Sequence, residues 1–364
     1  MQPFEDNAYK ISKVSMPSRT NVQDTYPEWP AHGLESIPNC PVCGAGNREL
    51  LHEGLTDRVF FCAPGRWNMY RCDSCASAYL DPRPTSETIG LAYQRYFTHG
   101  PNFSPVSFVG KLRRRFANAY RNHHYGTRDY PASIFGALAV GLMPNARAIL
   151  DAGMRHLPKV NAGKRLLDLG CGNGSFLLRA RSAGWDVVGL DFDSKAVEAA
   201  RYQGIDVRLG GVEELNPADE QFDVIALAHV IEHAHHPLEL LQACYNLLKP
   251  GGFLWIETPN IAAEGHRLFG ANWRGLEPPR HLVLFTVESM CNALSTTGFA
   301  EVKIQSYRPL CDSIFSASKA IAEGIDPYSE SRRNGPSDMV KKAERIARRD
   351  PARREFITVK AWKK

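Results

Sequence analysis

Arg165-Leu166-Leu167-Asp168-Leu169-Gly170-Cys171-Gly172-Asn173-Gly174-Ser175-Phe176-Leu177-Leu178 is the stretch that decides the fold. An apolar run ends in Asp-Leu-Gly, glycines follow at every second position, and a helix-like pattern resumes at once. That order reads as a buried parallel strand, a tight turn and a helix N-terminus. Glycines in such a turn let the backbone pass close to a ligand and take dihedrals that a Cβ forbids. The spacing Gly-x-Gly-x-Gly is not the Gly-x-Gly-x-x-Gly that seats a pyrophosphate on a helix end. The next apolar segment, Asp186-Val187-Val188-Gly189-Leu190-Asp191, ends in an acid, as a ribose diol requires.

From residue 164 onward strand and helix patterns alternate, which predicts an α/β fold with a doubly wound, seven-stranded parallel sheet of Rossmann-like type. Strands are expected at 165–169, 186–190, 205–208, 222–227, 252–257, 301–307 and 356–362, with the clearest helices at 193–202 and 237–248. Lys249-Pro250-Gly251-Gly252 stops the second of these helices and turns the chain into the next strand. Residues 308–353 interrupt the last hairpin as a helical, basic insertion whose use the sequence does not reveal. The catalytic domain is expected over 161–364.

The glycine turn and the acid on the following strand resemble motifs one and two of the class I S-adenosylmethionine (SAM) methyltransferases, and the Leu-Lys-Pro-Gly-Gly turn is a feature of the same enzymes. The resemblance implies SAM as cofactor and a role for each matched residue. Asp168 holds the ammonium end of the methionine moiety, and backbone from Gly170 through Cys171 and Gly172 to Gly174 passes along ribose and amino acid. Asp191 accepts from the ribose hydroxyls beside Phe192 at the adenine. Gly211-Val212-Glu213 closes on the base, and Ala228 ends the fourth strand at the same edge.

The chain is long enough for a large domain and a smaller one. Hydrophobic residues at 43% and charged residues at 23% are ordinary globular values, and the net charge of +5 permits anionic partners without demanding them. No run approaches the ~20 apolar residues of a membrane span. The N-terminal residues, with Glu5 and Asp6, are not expected to be a signal peptide. Of nine cysteines, four fall in two Cys-x-x-Cys pairs, which suits a reducing compartment and predicts a cytoplasmic protein.

Residues 1–37, polar and proline-punctuated, read as an arm, and 38–82 as a compact module. Cys40-Pro41-Val42-Cys43 and Cys72-Asp73-Ser74-Cys75 supply four thiolates for a tetrahedral, structural Zn²⁺, with no position left open for chemistry. The loop 44–71 is longer than in common zinc ribbons, and Cys62 inside it is a spare thiol. Unrelated reduced cysteines are the plainer reading. A redox pair is disfavoured because a second matched pair has no role there. Residues 83–160 are expected to be a helical linker or lid. Ser86–Phe97 looks helical, 98–110 reads as a linker, and one or two helices are expected over 133–157. Lys111 to His124 forms an amphipathic basic helix, either a contact for phosphate, RNA or an anionic lipid surface or a solvated face docked on the main domain.

Beyond the fourth strand the chain reads Ala228-His229-Val230-Ile231-Glu232-His233. Ligands sit past the carboxyl ends of parallel strands, so this cluster faces the reaction site. An imidazole near its ordinary pKa of about 6.5 suits a general base. The segment resembles the His-x-x-Glu-His of the group that includes quinone and sugar O-methyltransferases. Relatives with Glu-x-x-Glu-His bind a divalent ion there, and His229 stands where their first Glu would be, which leaves a metal at His229, Glu232 and His233 an open alternative. Histidines that merely cap a helical turn are the plainer reading. A third cluster runs Glu257-Thr258-Pro259-Asn260, Arg267 to Trp273, and Pro278-Pro279-Arg280-His281-Leu282 before Phe285-Thr286. Its Pro-Asn, Trp and Pro-Arg-His-Leu elements look like a subgroup with an N-terminal Cys-x-x-Cys module, acting in glycan or natural-product pathways. Arg280 is expected to pair with an anionic group of the acceptor, and His281 is the rival base.

The resulting expectation is a SAM-dependent methyltransferase acting on a hydroxyl of a sugar, nucleotide sugar or other small metabolite. The competing readings are an RNA methyltransferase that uses the zinc module and basic helix, and a non-catalytic SAM-binding protein. Acceptor identity and oligomeric state are beyond the sequence.

Overall fold

The computed structural model describes residues 28–94, 107–161, 163–328 and 337–364. Short strands come first: β1 (Leu34–Glu35), β2 (Arg48–Leu55), β3 (Trp67–Cys72), β4 (Ala78–Leu80) and β5 (Arg83–Pro84). Of the helix expected over Ser86–Phe97, a 3-10 turn at Ile89–Tyr93 is present and residues 95–97 lie outside the described residues. Helices α1 (Phe108–Tyr125), α2 (Gly136–Gly141) and α3 (Pro144–Gly153) follow. Helix α1 starts inside the segment read as linker because the Ser107 hydroxyl accepts from Gly110 N–H and caps it. Residues 98–106 of that segment lie outside the described residues.

Strand and helix then alternate: β6 (Arg165–Leu169), α4 (Ser175–Ser182), β7 (Asp186–Asp191), α5 (Ser194–Tyr202), β8 (Asp206–Leu209), β9 (Phe222–Ala228), α6 (Pro237–Leu247), β10 (Leu248–Pro259), α7 (Glu264–Phe269), β11 (Val283–Leu284), α8 (Val287–Thr296), β12 (Glu301–Ile304), α9 (Cys311–Ala322), α10 (Asp338–Arg349) and β13 (Phe356–Trp362). Seven strands form one sheet in the order β12-β13-β10-β9-β6-β7-β8. The central ladders are parallel, and β13 runs antiparallel between β10 and β12. The order reverses beside β6, so the carboxyl ends of β6 and β9 part there and leave a crevice. The Lys249-Pro250-Gly251-Gly252 turn is a register shift within β10, where Leu248 faces Phe222 and Phe253 faces Val224.

The cysteine module is not a separate bead. Its sheet runs β11-β4-β3-β2, and β11 comes from the segment between α7 and α8, with Val283 opposite Tyr79 and Leu284 opposite Ala78. One apolar cluster continues from Cys40, Val42, Cys72 and Tyr79 to Leu167, Leu227 and Ile256 of the large sheet. Within the arm, Trp29 is buried and β1 pairs with β5.

A buried ion pair fastens the module to the sheet. Both amino nitrogens of Arg280 donate to the Asp57 carboxylate, at 2.6 and 3.1 Å, and both side chains are fully buried. Asp57 also accepts from the N–H groups of Val59, Phe60, Cys62 and Ala63 and so shapes its loop. Arg280 Nε donates to Glu277, one amino group reaches Ala92 O, and the guanidinium stacks over Phe60. Burial pushes Asp57 up, but Arg280 together with the Ala63 and Cys62 N–H groups outweighs it and holds the carboxyl below its usual range. Removing one partner of such a pair leaves an uncompensated buried charge, at a cost of about 3–5 kcal/mol. Asp57→Ala is therefore expected to lower stability by about that amount in denaturant unfolding. A loss below about 1 kcal/mol, the level of an exposed pair, would count against a structural role.

Candidate functional site

The glycine turn after β6 is stitched to the end of β7. Gly170 and Cys171 N–H both donate to Leu190 O, and Gly172 N–H donates to Asp191 at 2.7 Å. Gly170, Gly172 and Gly174 all have positive φ, which explains the spacing read in the sequence. A Cβ at Gly170 would stand 2.6 Å from Val230 Cγ2, so this edge of the crevice admits only glycine. Asp191 is half-buried at the strand end, with its second oxygen accepting from Asp193 N–H at 2.9 Å. Phe192 is exposed, and its ring lies against Gly211 at the start of Gly211-Val212-Glu213. Glu213 accepts from Gly211 N–H at 3.0 Å, and Ala228 closes the group from the end of β9.

Asp168 is wholly buried and ion-paired with Arg155, a residue the sequence reading missed. Arg155 and His156 both adopt left-handed backbone just past α3, which swings the guanidinium over Phe176, 3.8 Å from the ring centre. Only one Arg155 nitrogen donates to Asp168, and Asp168 Oδ2 is buried with no hydrogen-bond partner. An orphaned carboxylate oxygen beside a cation with unused donors matches the ammonium and carboxylate of an amino acid. The residues present fit SAM. Asp168 and Arg155 would take its amino-acid end, the glycine turn its middle and Asp191 its diol. No local signal marks Arg155 in the sequence, since it reaches Asp168 only through a distorted loop.

His229 follows β9 with φ of +55°, strain for a residue with a Cβ and a feature that clusters at functional sites. Its N–H donates to Glu257 O at 2.8 Å, which fixes the backbone. The ring is two-fifths exposed, with Nδ1 3.3 Å from Glu232 and Nε2 3.7 Å from Glu257. Burial pushes this imidazole down, but the hydrogen bonds to Glu232 and Glu257 outweigh it and raise the pKa to about 9. The resting ring is thus cationic at neutral pH, where the sequence reading assumed a group near 6.5. Burial pushes Glu232 and Glu257 up, yet contact with His229 leads the opposing interactions and brings both to about 2. Thr258 Oγ1 donates to the other Glu232 oxygen at 2.9 Å. Glu257 opens the third sequence cluster, which assigned it no role. It is an acid closing the apolar run Phe253-Leu254-Trp255-Ile256, the signal that picked out Asp191.

Two expected acceptor residues lie elsewhere. Arg280 does not face an open pocket, because Asp57, Glu277 and Ala92 O take its donors inside the core. His281 is buried, with Nδ1 2.8 Å from Gly275 O, and burial pushes it down to about 4 against the pull of Glu277. It is a neutral core imidazole packed edge-on to His233. His233 Nδ1 lies 2.9 Å from Arg280 O and 3.0 Å from Tyr93 Oη. The open question of a cation also moves. The donors that converge within 4.8 Å are Glu232, His233 and His281, without His229.

In the module, the sulfurs of Cys40, Cys43, Cys72 and Cys75 lie within 4.8 Å of one another, with Cys40–Cys75 at 3.6 Å and Cys43–Cys72 at 3.5 Å. Four thiolates around one ion with ~2.3 Å bonds stand about 3.8 Å apart, so the donor set fits a tetrahedral metal. Each knuckle closes with a backbone bond, Gly44 N–H to Cys40 O and Ala76 N–H to Cys72 O.

The sheet order, the glycine turn and the acids Asp168 and Asp191 are the arrangement that the resemblance to SAM-dependent methyltransferases leads one to expect. Residues 143–304 match the family described as methyltransferase domain. A ubiquinone biosynthesis O-methyltransferase of Cereibacter sphaeroides is 39% identical over 119 residues, 30% of this chain and 48% of the relative. Those of Bordetella pertussis (37% over 106 residues, 27% and 44%) and Thiobacillus denitrificans (33% over 114 residues, 29% and 49%) are similar at the same level. The chain spans about half the length of the relatives it matches. A solved SAM-dependent methyltransferase from Archaeoglobus fulgidus is a loose likeness, with a TM-score of 0.41 at 21% identity over 62% of this chain and 98% of that one.

Asp191→Ala is expected to weaken binding of S-adenosylhomocysteine by about 1.5–3 kcal/mol, the value of a hydrogen bond to a charged group, or roughly 10- to 150-fold by calorimetry. An affinity within threefold of wild type would take Asp191 out of the cofactor site.

Proposed function

We propose that the chain transfers a methyl group from SAM to a hydroxyl of a small metabolite, with a sugar or nucleotide sugar as the acceptor class. The observation that carries this reading is the exposed His229 ring, clamped between Glu232 and Glu257 at the sheet edge that presents the glycine turn and Asp191. The relatives named as O-methyltransferases support oxygen as the atom methylated. SAM supplies a methyl already activated by its sulfonium, so the protein's task is to orient the acceptor and remove a proton. Glu232 orients the His229 ring through Nδ1, and the neutral ring takes the hydroxyl proton at Nε2, where the acceptor hydroxyl displaces the looser contact with Glu257. Because the pKa is raised, the neutral form grows as pH climbs toward about 9.

Incubating the protein with methyl-labelled SAM and panels of sugars, nucleotide sugars and phenols tests this. A methyl ether is the expected product. The rate should rise between pH 7 and 9, and His229→Asn should cut it by ~10²–10⁴-fold with S-adenosylhomocysteine affinity unchanged. Label on nitrogen or carbon, or full activity in His229→Asn, would refute the reading.

The four-cysteine site is read as structural Zn²⁺. One zinc per chain is expected by elemental analysis, and Cys43→Ser should lose it with a lowered melting temperature. Zinc retained at one equivalent in that variant would exclude the site.

A further inference from the structure

Between the end of β12 and the start of β13 lies a pocket with no part in the chemistry above. It is a small, partly open pocket lined by Ser306, Tyr307, Arg308, Arg354, Glu355, Phe356 and Thr358. Its wall is shared with the His229 site. The Phe356 ring meets the His229 ring edge-on at 4.7 Å, and Thr358 Oγ1 donates to Glu257 at 3.0 Å. The helical insertion 308–353 leaves and rejoins the sheet at this point, so Arg308 and Arg354 stand at its two ends in one pocket.

Neither guanidinium is fully used. Arg308 donates one amino group to Glu257 at 2.6 Å, while its Nε is buried with no hydrogen-bond partner. Arg354 donates Nε to Ala347 O and one amino group to Gln305 O, both neutral carbonyls. No carboxylate lies within ion-pair distance of it among the described residues. Glu355 also lines the pocket, but its two carboxylate oxygens are taken up by the Trp273 indole N–H and the Gly265 N–H. Arg354, bound only to neutral carbonyls, and the unused Nε of Arg308 form a site for an oxyanion, and the planar guanidinium suits phosphate and carboxylate alike.

We propose that this pocket binds an oxyanion, phosphate or carboxylate, borne by the methyl acceptor, and that the insertion exists to bring Arg308 and Arg354 together around it. The word acceptor rests on the methyl-transfer reading, whereas the anion site stands on its own geometry. A phosphorylated, nucleotide-linked or carboxylated acceptor is thereby selected over a neutral one.

Calorimetric titration of the full chain with inorganic phosphate, acetate and glucose tests it, with S-adenosylhomocysteine as control. Phosphate or acetate should bind and glucose should not, and the tighter of the two anions identifies the group. Arg354→Gln and Ser306→Asp should each weaken the anion about tenfold or more, as expected for loss of a charged hydrogen bond or gain of a like charge, with the control within twofold. Ser306 is exposed, so its variant decides the matter if Arg354→Gln fails to fold. Absence of anion binding to the wild type, or equal binding to Ser306→Asp, overturns the pocket and leaves the methyltransferase reading intact. Failure of the control on wild type sinks the cofactor reading alone, and the anion titration still decides the pocket.

Discussion

The contact between Asp57 and Arg280 sets the terms for the rest of the molecule. Two charges removed from water are tolerated only when nearly every donor and acceptor is used. Here four backbone N–H groups, Glu277 and Ala92 O complete the set. That demand fixes the loop 57–63 against the segment 277–281 and thereby aligns β4 with β11. The carbonyl of the same Arg280 lies at His233, so the constraint reaches the histidine cluster through one residue. The cysteine module behaves as a wall of the large domain, held by charge, by a strand pair and by a common apolar cluster.

On the other side of Glu232, the sheet edge gathers charge instead of hiding it. His229 stands between Glu232 and Glu257, and Glu257 in turn is met by Arg308 and Thr358. This chain of alternating signs explains why an imidazole that burial alone would keep neutral is held as a cation. It also couples the histidine to the mouth of the helical insertion, since Glu257 serves both.

What could be read from the sequence was local. The turn at Gly170–Gly174, the acid at Asp191 and the cysteine knuckles each declare themselves within a dozen residues, because the backbone needs those residue types at that spacing. The doubly wound α/β class follows from the alternation of strand and helix patterns. What stayed hidden was long-range partnership. Nothing near Arg280 reveals that an acid in the far N-terminal region will claim it, and a Pro-Arg-His segment looks like a binding loop until Asp57 is in place. Arg155 is invisible for a related reason, since its side chain reaches Asp168 through two left-handed residues that no pattern announces. The histidine type at 229 was readable and its protonation state was not, because that depends on Glu257 across the sheet.

The pairing of β4 with β11 also dictates an order of events on the ribosome. The module's cysteines emerge early, yet the outer edge of its sheet stays unsatisfied until Val283 and Leu284 have been made. An exposed strand edge during synthesis invites wrong partners, and contacts so distant in sequence form slowly. A metal captured early by the knuckles would hold the nascent segment in shape through that interval, acting as a placeholder until the rest of the chain arrives.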